Sequence, residues 1–491
     1  MAQDTPLYHE PYRPQYHFSP PCGWMNDPNG MVYYQGEYHF FYQYSPQVSR
    51  GPLHWGHAVS TDLVHWENLP MALYPDDVGG PIWSGSAVVD ADNSSGLVPG
   101  GGLIAIFSYE NQSQGVAYST DRGRSWTKYA GNPVIPAMAK DFRDPKVFWD
   151  APRKRWAMVL AAGHEMQLYS SPNLLDWTLR SKFSEGQVQP IWEVPDLFPL
   201  QIDGQTKWVL LISLSALAPA GGNGIQYFIG DFDGDTFTND NPTNTILWLD
   251  YGTDNYAGTT WDNAPDNRRI YIGWMSNWQT AFALPTPNWR GGATLPREFR
   301  LVNTQDGIRL AQMPVDSLAQ LRTPLGTWDN VDLSGDLPLD DVHGRRLEII
   351  AEFEAGSAKR FGIEVHRGDM SAANSSRTRI LYNLAQSQLL VSRPDSSEAG
   401  TIPNFSTAFG APTPLDNGRL RLHLFVDEAS VETFAQDGLI TLSAQTFGSS
   451  QADGVALFAE QGDAKLIHLE IYAMASVWSS SEQIPEGIEC S

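Results

Sequence analysis

Ala58-Val59-Ser60-Thr61-Asp62-Leu63-Val64-His65-Trp66 returns three times in altered form. It returns as Ala117-Tyr118-Ser119-Thr120-Asp121-Arg122-Gly123-Arg124-Ser125-Trp126 and as Leu168-Tyr169-Ser170-Ser171-Pro172-Asn173-Leu174-Leu175-Asp176-Trp177. A looser copy is Phe228-Ile229-Gly230-Asp231-Phe232-Asp233-Gly234-Asp235-Thr236-Phe237. Each copy is a strand-like run closed by a small residue, then turn residues, then an aromatic. That pattern is a hairpin whose second strand opens on a ring. A step of roughly 50–60 residues holding several short strands is the size of a propeller blade, and about five such blades fill the first 300 residues. Further β runs lie at 31–34, 39–44, 103–109, 156–161, 208–214 and 270–274, and helical periodicity is nearly absent.

Beyond the repeats, residues 314–322 read as a short helix opened by Pro314. The domain boundary is placed just after it. From about Arg346 the chain alternates, with strands expected at 347–353, 379–383, 420–426, 430–434, 454–459 and 466–472. This spacing predicts a β-sandwich. The expected fold is therefore all-β: a five-bladed β-propeller over 1–324, followed by a β-sandwich over 325–491 with a short linker and a C-terminal tail.

The length of 491 residues exceeds one ordinary core, which agrees with two domains. A net charge of −24 repels phosphate backbones and anionic lipid, so neither nucleic acid nor membrane is expected as a partner. A neutral substrate suits such a surface. The 57 aromatic side chains (17 Trp, 19 Tyr, 21 Phe) fit a carbohydrate site, although β-rich cores also use them. The two cysteines, Cys22 and Cys490, stand near opposite ends and form no disulfide framework or zinc spacing; whether they pair stays open. The first residues carry no signal-peptide pattern. Either a leader has been removed from a secreted protein and an initiator Met supplied, or the protein is cytoplasmic.

Three segments carry candidate chemistry. Trp24-Met25-Asn26-Asp27-Pro28-Asn29-Gly30 is dense in turn residues, with an Asp held extended by the following Pro and an apolar lead-in that implies burial. A buried Asp is costly unless its charge is used or paired. Asp141-Phe142-Arg143-Asp144-Pro145-Lys146 places another Asp before Pro, beside an Arg. Ile191-Trp192-Glu193-Val194-Pro195-Asp196 sets one carboxyl between apolar neighbours, a setting that favours the protonated form a general acid needs. Singly, each also reads as a tight turn, a surface ion pair or an edge-strand Glu. Together, three carboxyls at strand starts in successive blades can converge on a propeller axis. Glycoside cleavage needs two carboxyls about 5–5.5 Å apart for retention, or roughly 6.5–9.5 Å for inversion.

With further markers in order, the chain resembles glycoside hydrolase family 32, the invertases, exo-inulinases and levanases. Those markers are Tyr42-Gln43-Tyr44, Trp55-Gly56-His57-Ala58-Val59-Ser60, Trp83-Ser84-Gly85-Ser86, Gly273-Trp274-Met275-Ser276-Asn277-Trp278-Gln279 and Asp427-Glu428-Ala429-Ser430-Val431-Glu432-Thr433-Phe434. The resemblance implies that Asp27 is the nucleophile and Glu193 the acid/base. Asp144 then holds fructose hydroxyls and stabilises the oxocarbenium-like transition state. It implies sugar contacts from Asn26, Gln43, Trp55, Ser84 and Arg143, with Trp278, or Trp274 beside it, forming a wall. It implies no metal and no organic cofactor. The expected activity is retaining, exo-acting removal of terminal β-D-fructofuranosyl residues from fructans such as inulin and levan, or from sucrose, by a monomer or homodimer.

The chain departs from the family pattern at three points. Val194 stands where many members have Cys, and Thr280 where Tyr is common. The loop Ser49-Arg50-Gly51-Pro52 lacks a Trp that many members carry, which bears on the pocket wall and substrate preference. Three other readings are a fructosyltransferase using the same carboxyls, an inverting glycosidase acting on pentose polymers, and a non-catalytic sugar-binding module. The last conflicts with the presence of all three carboxyls and the Arg.

Overall fold

The computed structural model describes residues 6–371, 376–393, 401–479, 483, 484, 488 and 490. Residues 23–314 build five sheets, in chain order and antiparallel except for one short parallel pair described below. Their first strands are Gly23–Tyr34, Ile82–Asp90, Phe142–Asp150, Trp192–Ile202 and Tyr256–Thr260. These five strands touch one another in a closed ring, each against the next and the fifth against the first. They are the innermost strands of a five-bladed propeller, as the repeat predicts.

The repeat marks the outer hairpin of each of the first four blades. His54–Ser60 leads through it to Glu67–Leu73, and Gln114–Ser119 to Thr127–Lys128. Met166–Ser171 leads to Thr178–Phe183, and Gly224–Phe232 to Phe237–Asn239. The turn has a side-chain cause. Asp62 Oδ1 accepts the backbone N–H groups of Val64 and His65, and Asn173 Oδ1 those of Leu175 and Asp176. Asp233 Oδ1 does the same for Asp235 and Thr236. An Asx side chain thus replaces a strand partner and reverses the chain.

Apolar side chains fill each seam between blades. Phe41, Trp55 and Phe107 join the first and second blades, and Ile106, Val147 and Leu160 the second and third. The ring closes where Trp289–Arg290 pairs in parallel with Gly23 and Trp24. Gly291 follows at φ +88°, where an added Cβ would lie 2.0 Å from the Met25 carbonyl oxygen. Only glycine lets the chain pass that close.

The short helix expected at 314–322 is a 3-10 segment, Asp316–Leu321. It leads directly into a 22-residue strand, Arg322–His343, which pairs antiparallel along Gly454–Met474. Sequence reading left the first of these in a linker because Pro324, Gly326, Gly335 and Pro338 interrupt any alternation. The strands expected separately at 454–459 and 466–472 are one bent strand. Its first part pairs with Arg360–Arg367 and its second with Leu347–Glu354, so it crosses between the two layers of the sandwich. Residues of these strands, among them Leu333, Ile349, Ile363 and Leu457, meet in one core.

The two folded parts share a buried polar seam. His17 contacts Asp427 Oδ2 through Nδ1 at 2.8 Å and Glu432 Oε1 through Nε2 at 3.0 Å. Arg297 also pairs with Glu432, and its Nη1 reaches Asp250 Oδ2 at 3.2 Å. A disulfide joins Cys22 to Cys490. No helix of the described residues is long and apolar enough to cross a membrane.

Candidate active site

Each innermost strand breaks its ladder near its beginning. The pairing register shifts between Met25 and Pro28 in the first, Ile82 and Gly85 in the second, and Glu193 and Asp196 in the fourth. It shifts between Tyr256 and Thr259 in the fifth, and opposite Arg143–Lys146 in the third. A bulge re-aims the side chain it carries. Three bulges contain a proline (Pro28, Pro145, Pro195), which has no N–H to give to a ladder. Asp27, Ser84, Asp144, Glu193 and Tyr256 sit at these breaks. All five line one cavity of about 180 Å³, so every blade contributes to it.

Asp27 accepts a hydrogen bond from Ser84 Oγ at 2.6 Å and one from Asn26 Nδ2 at 2.9 Å. Asn26 is itself oriented by Trp24 Nε1 at 2.7 Å. Burial holds the Asp27 carboxyl above the usual range. The two donors oppose that rise, and the Glu193 charge adds to it. Gln43 Nε2 donates to Ser84 Oγ at 3.4 Å.

Glu193 has two donors. Arg143 Nη2 lies 2.9 Å from its Oε1, and the Tyr256 hydroxyl donates to its Oε2. Burial, then the neighbouring Glu193 charge, holds the Tyr256 phenol well above its ordinary pKa, so it stays a donor. The apolar surroundings expected for Glu193 are therefore corrected: its neighbours Trp192 and Val194 point into the core, while the carboxyl meets a cation and a phenol.

Asp144 is buried, with φ +66°. Its N–H donates to Ser108 Oγ at 2.9 Å, and its Oδ2 accepts the Val194 N–H at 3.0 Å. Val194 sits at φ +45°, an uncommon conformation for a β-branched residue, and this turns its N–H toward Asp144. Burial pushes the Asp144 carboxyl up to about 7. Arg143 opposes the rise, and the charges of Glu193 and Asp27 add to it. Arg143 also donates to Asp141 Oδ1 at 2.9 Å. Farther along the strands Lys146 Nζ lies 3.4 Å from Asp196 Oδ2, both buried, and donates to the Thr260 carbonyl, so it bridges three of the innermost strands.

Asn26, Gln43, Ser84, Arg143 and Trp278 line this same cavity, where sequence reading puts them. Trp55 does not. It is fully buried in the seam between the first two blades, and its Nε1 donates to the Trp83 carbonyl at 2.9 Å. Its reach is through Trp83, which does line the cavity. Of the two candidate wall residues, Trp278 faces the cavity. Trp274 is fully buried behind it at 4.7 Å between ring centres. Sequence reading missed Tyr256, Gln112 and Asp141 as lining groups; Asp141 was visible only as a neighbour of Arg143.

The model of the glycosyl hydrolases family 32 N-terminal domain matches residues 17–314, and that of the family's C-terminal domain matches 317–473. The chain is 46% identical to a levanase of Bacillus subtilis over 98% of its own length and 73% of that protein's. It is 37% identical to an extracellular exo-inulinase of Aspergillus awamori, covering 96% of both. The crystal structure of exo-inulinase from Aspergillus awamori superposes with a TM-score of 0.90 at 35% identity, over 96% of this chain and all of that one. A β-fructofuranosidase from Schwanniomyces occidentalis, complexed with fructosyl-erythritol, gives 0.86 at 29%, over 96% and 100%. This chain belongs to glycosyl hydrolase family 32.

Proposed function

We propose that this chain is a retaining, exo-acting β-fructosidase that hydrolyses terminal β-D-fructofuranosyl residues of fructans and of sucrose. The observation that carries the reading is that Asp27 and Glu193 open on one cavity with different partners. Asp27 accepts from neutral donors, and among the described residues no salt bridge ties up the charge that attacks. Glu193 has a phenol and a guanidinium that hold it in place. Names of relatives support the substrate class: levanase, exo-inulinase, fructan β-fructosidase and invertase. The name exo-inulinase among the relatives supports exo action.

In the first step an Asp27 oxygen bonds to the anomeric carbon while the bond to the leaving oxygen breaks. Glu193 gives that oxygen its proton. In the second, Glu193 takes a proton from water, the water oxygen bonds to the anomeric carbon, and Asp27 is released as carboxylate. Asp144 and Arg143 hold fructosyl hydroxyls through the charge build-up. Asn26, Gln43 and Ser84 line the base of the pocket, and Trp278 its wall. We assign these roles to a catalytic part at 1–324 and a supporting role to 325–491. Secretion accords with the Cys22–Cys490 bond and with extracellular relatives.

The test is the anomer first released from sucrose, read by NMR, together with Asp27→Asn. Release of β-fructose and a loss of turnover on the order of 10⁴-fold or more are expected. Initial α-fructose, or wild-type turnover by the variant, overturns the reading.

A further inference from the structure

Arg50 occupies the mouth of the cavity in an unusual manner. Its guanidinium carbon lies 5.2 Å from the centre of the Trp278 ring. Both residues line the cavity that holds Asp27. Depth separates them from the base: Asn26, Gln43 and Ser84 are 3%, 1% and 3% exposed, whereas Arg50 is exposed. Among the described residues the Arg50 guanidinium enters no salt bridge, unlike Arg143, which is held by Asp141 and Glu193.

Both sides of this rim are fixed. Ser45 Oγ accepts the N–H groups of Gln47 and Gly51, and the Arg50 N–H donates to the Gln47 carbonyl at 3.1 Å, so the loop that carries Arg50 is tied. The Trp278 N–H donates to Asn223 Oδ1 at 2.7 Å, and its ring packs on Trp24 and Trp274. A planar fork with five N–H donors, parked on an indole at a pocket mouth, meets whatever is attached to the residue at the base.

We propose that Arg50 is a specificity residue for the leaving group, donating hydrogen bonds to adjacent hydroxyls of the neutral sugar joined to the terminal fructosyl unit. This rests on the exo-fructosidase reading. Neutral sugars are favoured over anionic ones because Asp27, Asp144 and Glu193 share the cavity. Arg50 also lowers the pKa of Asp27 against the effect of burial, so the cation is felt at the base as well as at the rim.

The experiment compares kcat/KM for sucrose and 1-kestose with that for β-D-fructofuranosyl fluoride, whose leaving group has no hydroxyls. It uses the whole enzyme, Arg50→Ala and Arg50→Lys. The readout is the ratio of each sugar substrate to the fluoride, which cancels any common effect on the fructosyl step. Arg50→Ala is expected to lower that ratio about ten-fold or more for at least one sugar. Arg50→Lys is expected to recover less than half of the loss, because a point charge lacks the fork. A ratio within about two-fold of wild type in Arg50→Ala overturns the proposal, and so does full recovery by Lys. Wild-type enzyme that turns over none of the three donors overturns the exo-fructosidase reading itself, and with it this inference.

Discussion

Arg143 donates to Glu193 across the seam between the third and fourth blades, Nη2 to Oε1 at 2.9 Å. The same guanidinium lies 3.9 Å from Asp144 Oδ2 through Nε. One cation therefore faces two carboxyls to which unlike roles are proposed above. Arg143→Lys keeps charge but cannot span both. We expect kcat/KM on sucrose to fall on the order of 10²–10³-fold. Arg143 opposes the rise of Asp144 toward 7, so weakening it raises that pKa further. The acidic limb of the pH–rate profile should move to higher pH. A limb that stays in place argues against ionised Asp144 as a requirement.

Asp144 should cost the fold stability when charged. Its carboxyl titrates near 7 in the folded protein against an ordinary 3.8, chiefly through burial. Its contribution is greatest below 3.8 and is lost as pH rises through 7. Asp144→Asn keeps an acceptor for the Val194 N–H, and Asn tolerates φ +66°. At pH 8 the variant should melt higher than wild type by about 2–5 °C, and the gap should close toward pH 4. Activity should be lost at both. An equal or lower melting temperature at pH 8 would show that the carboxylate is well paired.

Tyr256→Phe removes the phenol that donates to Glu193 Oε2 and leaves the ring packed beside Trp274 and Val194. A roughly ten-fold loss of kcat/KM with an unchanged melting curve is expected. Melting loss without kinetic loss would mark the hydroxyl as structural.

The three carboxyls were legible because the bulges that aim them leave a mark: Asp27 and Asp144 each precede proline, and Glu193 stands two before it. The repeated hairpin was legible because an Asx turn needs its Asp or Asn at a fixed place after the strand. Tyr256 left no mark, since Tyr256-Ala257-Gly258-Thr259-Thr260 reads as any strand and its bulge contains no proline. Trp55 was misplaced because a motif records that a residue is needed, not which way it faces; a Trp that buttresses a wall looks like one that forms it. The strand Arg322–His343 was hidden because its hydrogen bonds run to a segment more than a hundred residues away, which no local pattern reports.

The seam between the two folded parts should be sensitive to alkali. Burial alone would push His17 down, but its bonds to Asp427 and Glu432 outweigh that and raise it to about 9. The stability gained is fully present below 6.5 and is lost as pH climbs through 9. Wild-type protein should lose melting temperature over that window. His17→Gln should be less stable at pH 7 by about 3–5 kcal/mol, because the buried Asp427 carboxylate loses its cation and Glu432 keeps only Arg297. It should also show a flatter alkaline limb. A wild-type curve that is level from pH 7 to about pH 10 would contradict a charged His17.

Cys22 lies just before the innermost strand of the first blade, and Cys490 follows it by 468 residues, beyond the last sandwich strand. Their bond closes the intervening segment, both folded parts included, into one covalent loop. A protease that nicks one surface loop anywhere between them produces two pieces that stay tethered until a thiol reductant reaches the sulfurs. Damage of that kind would be invisible on a non-reducing gel and conspicuous on a reducing one.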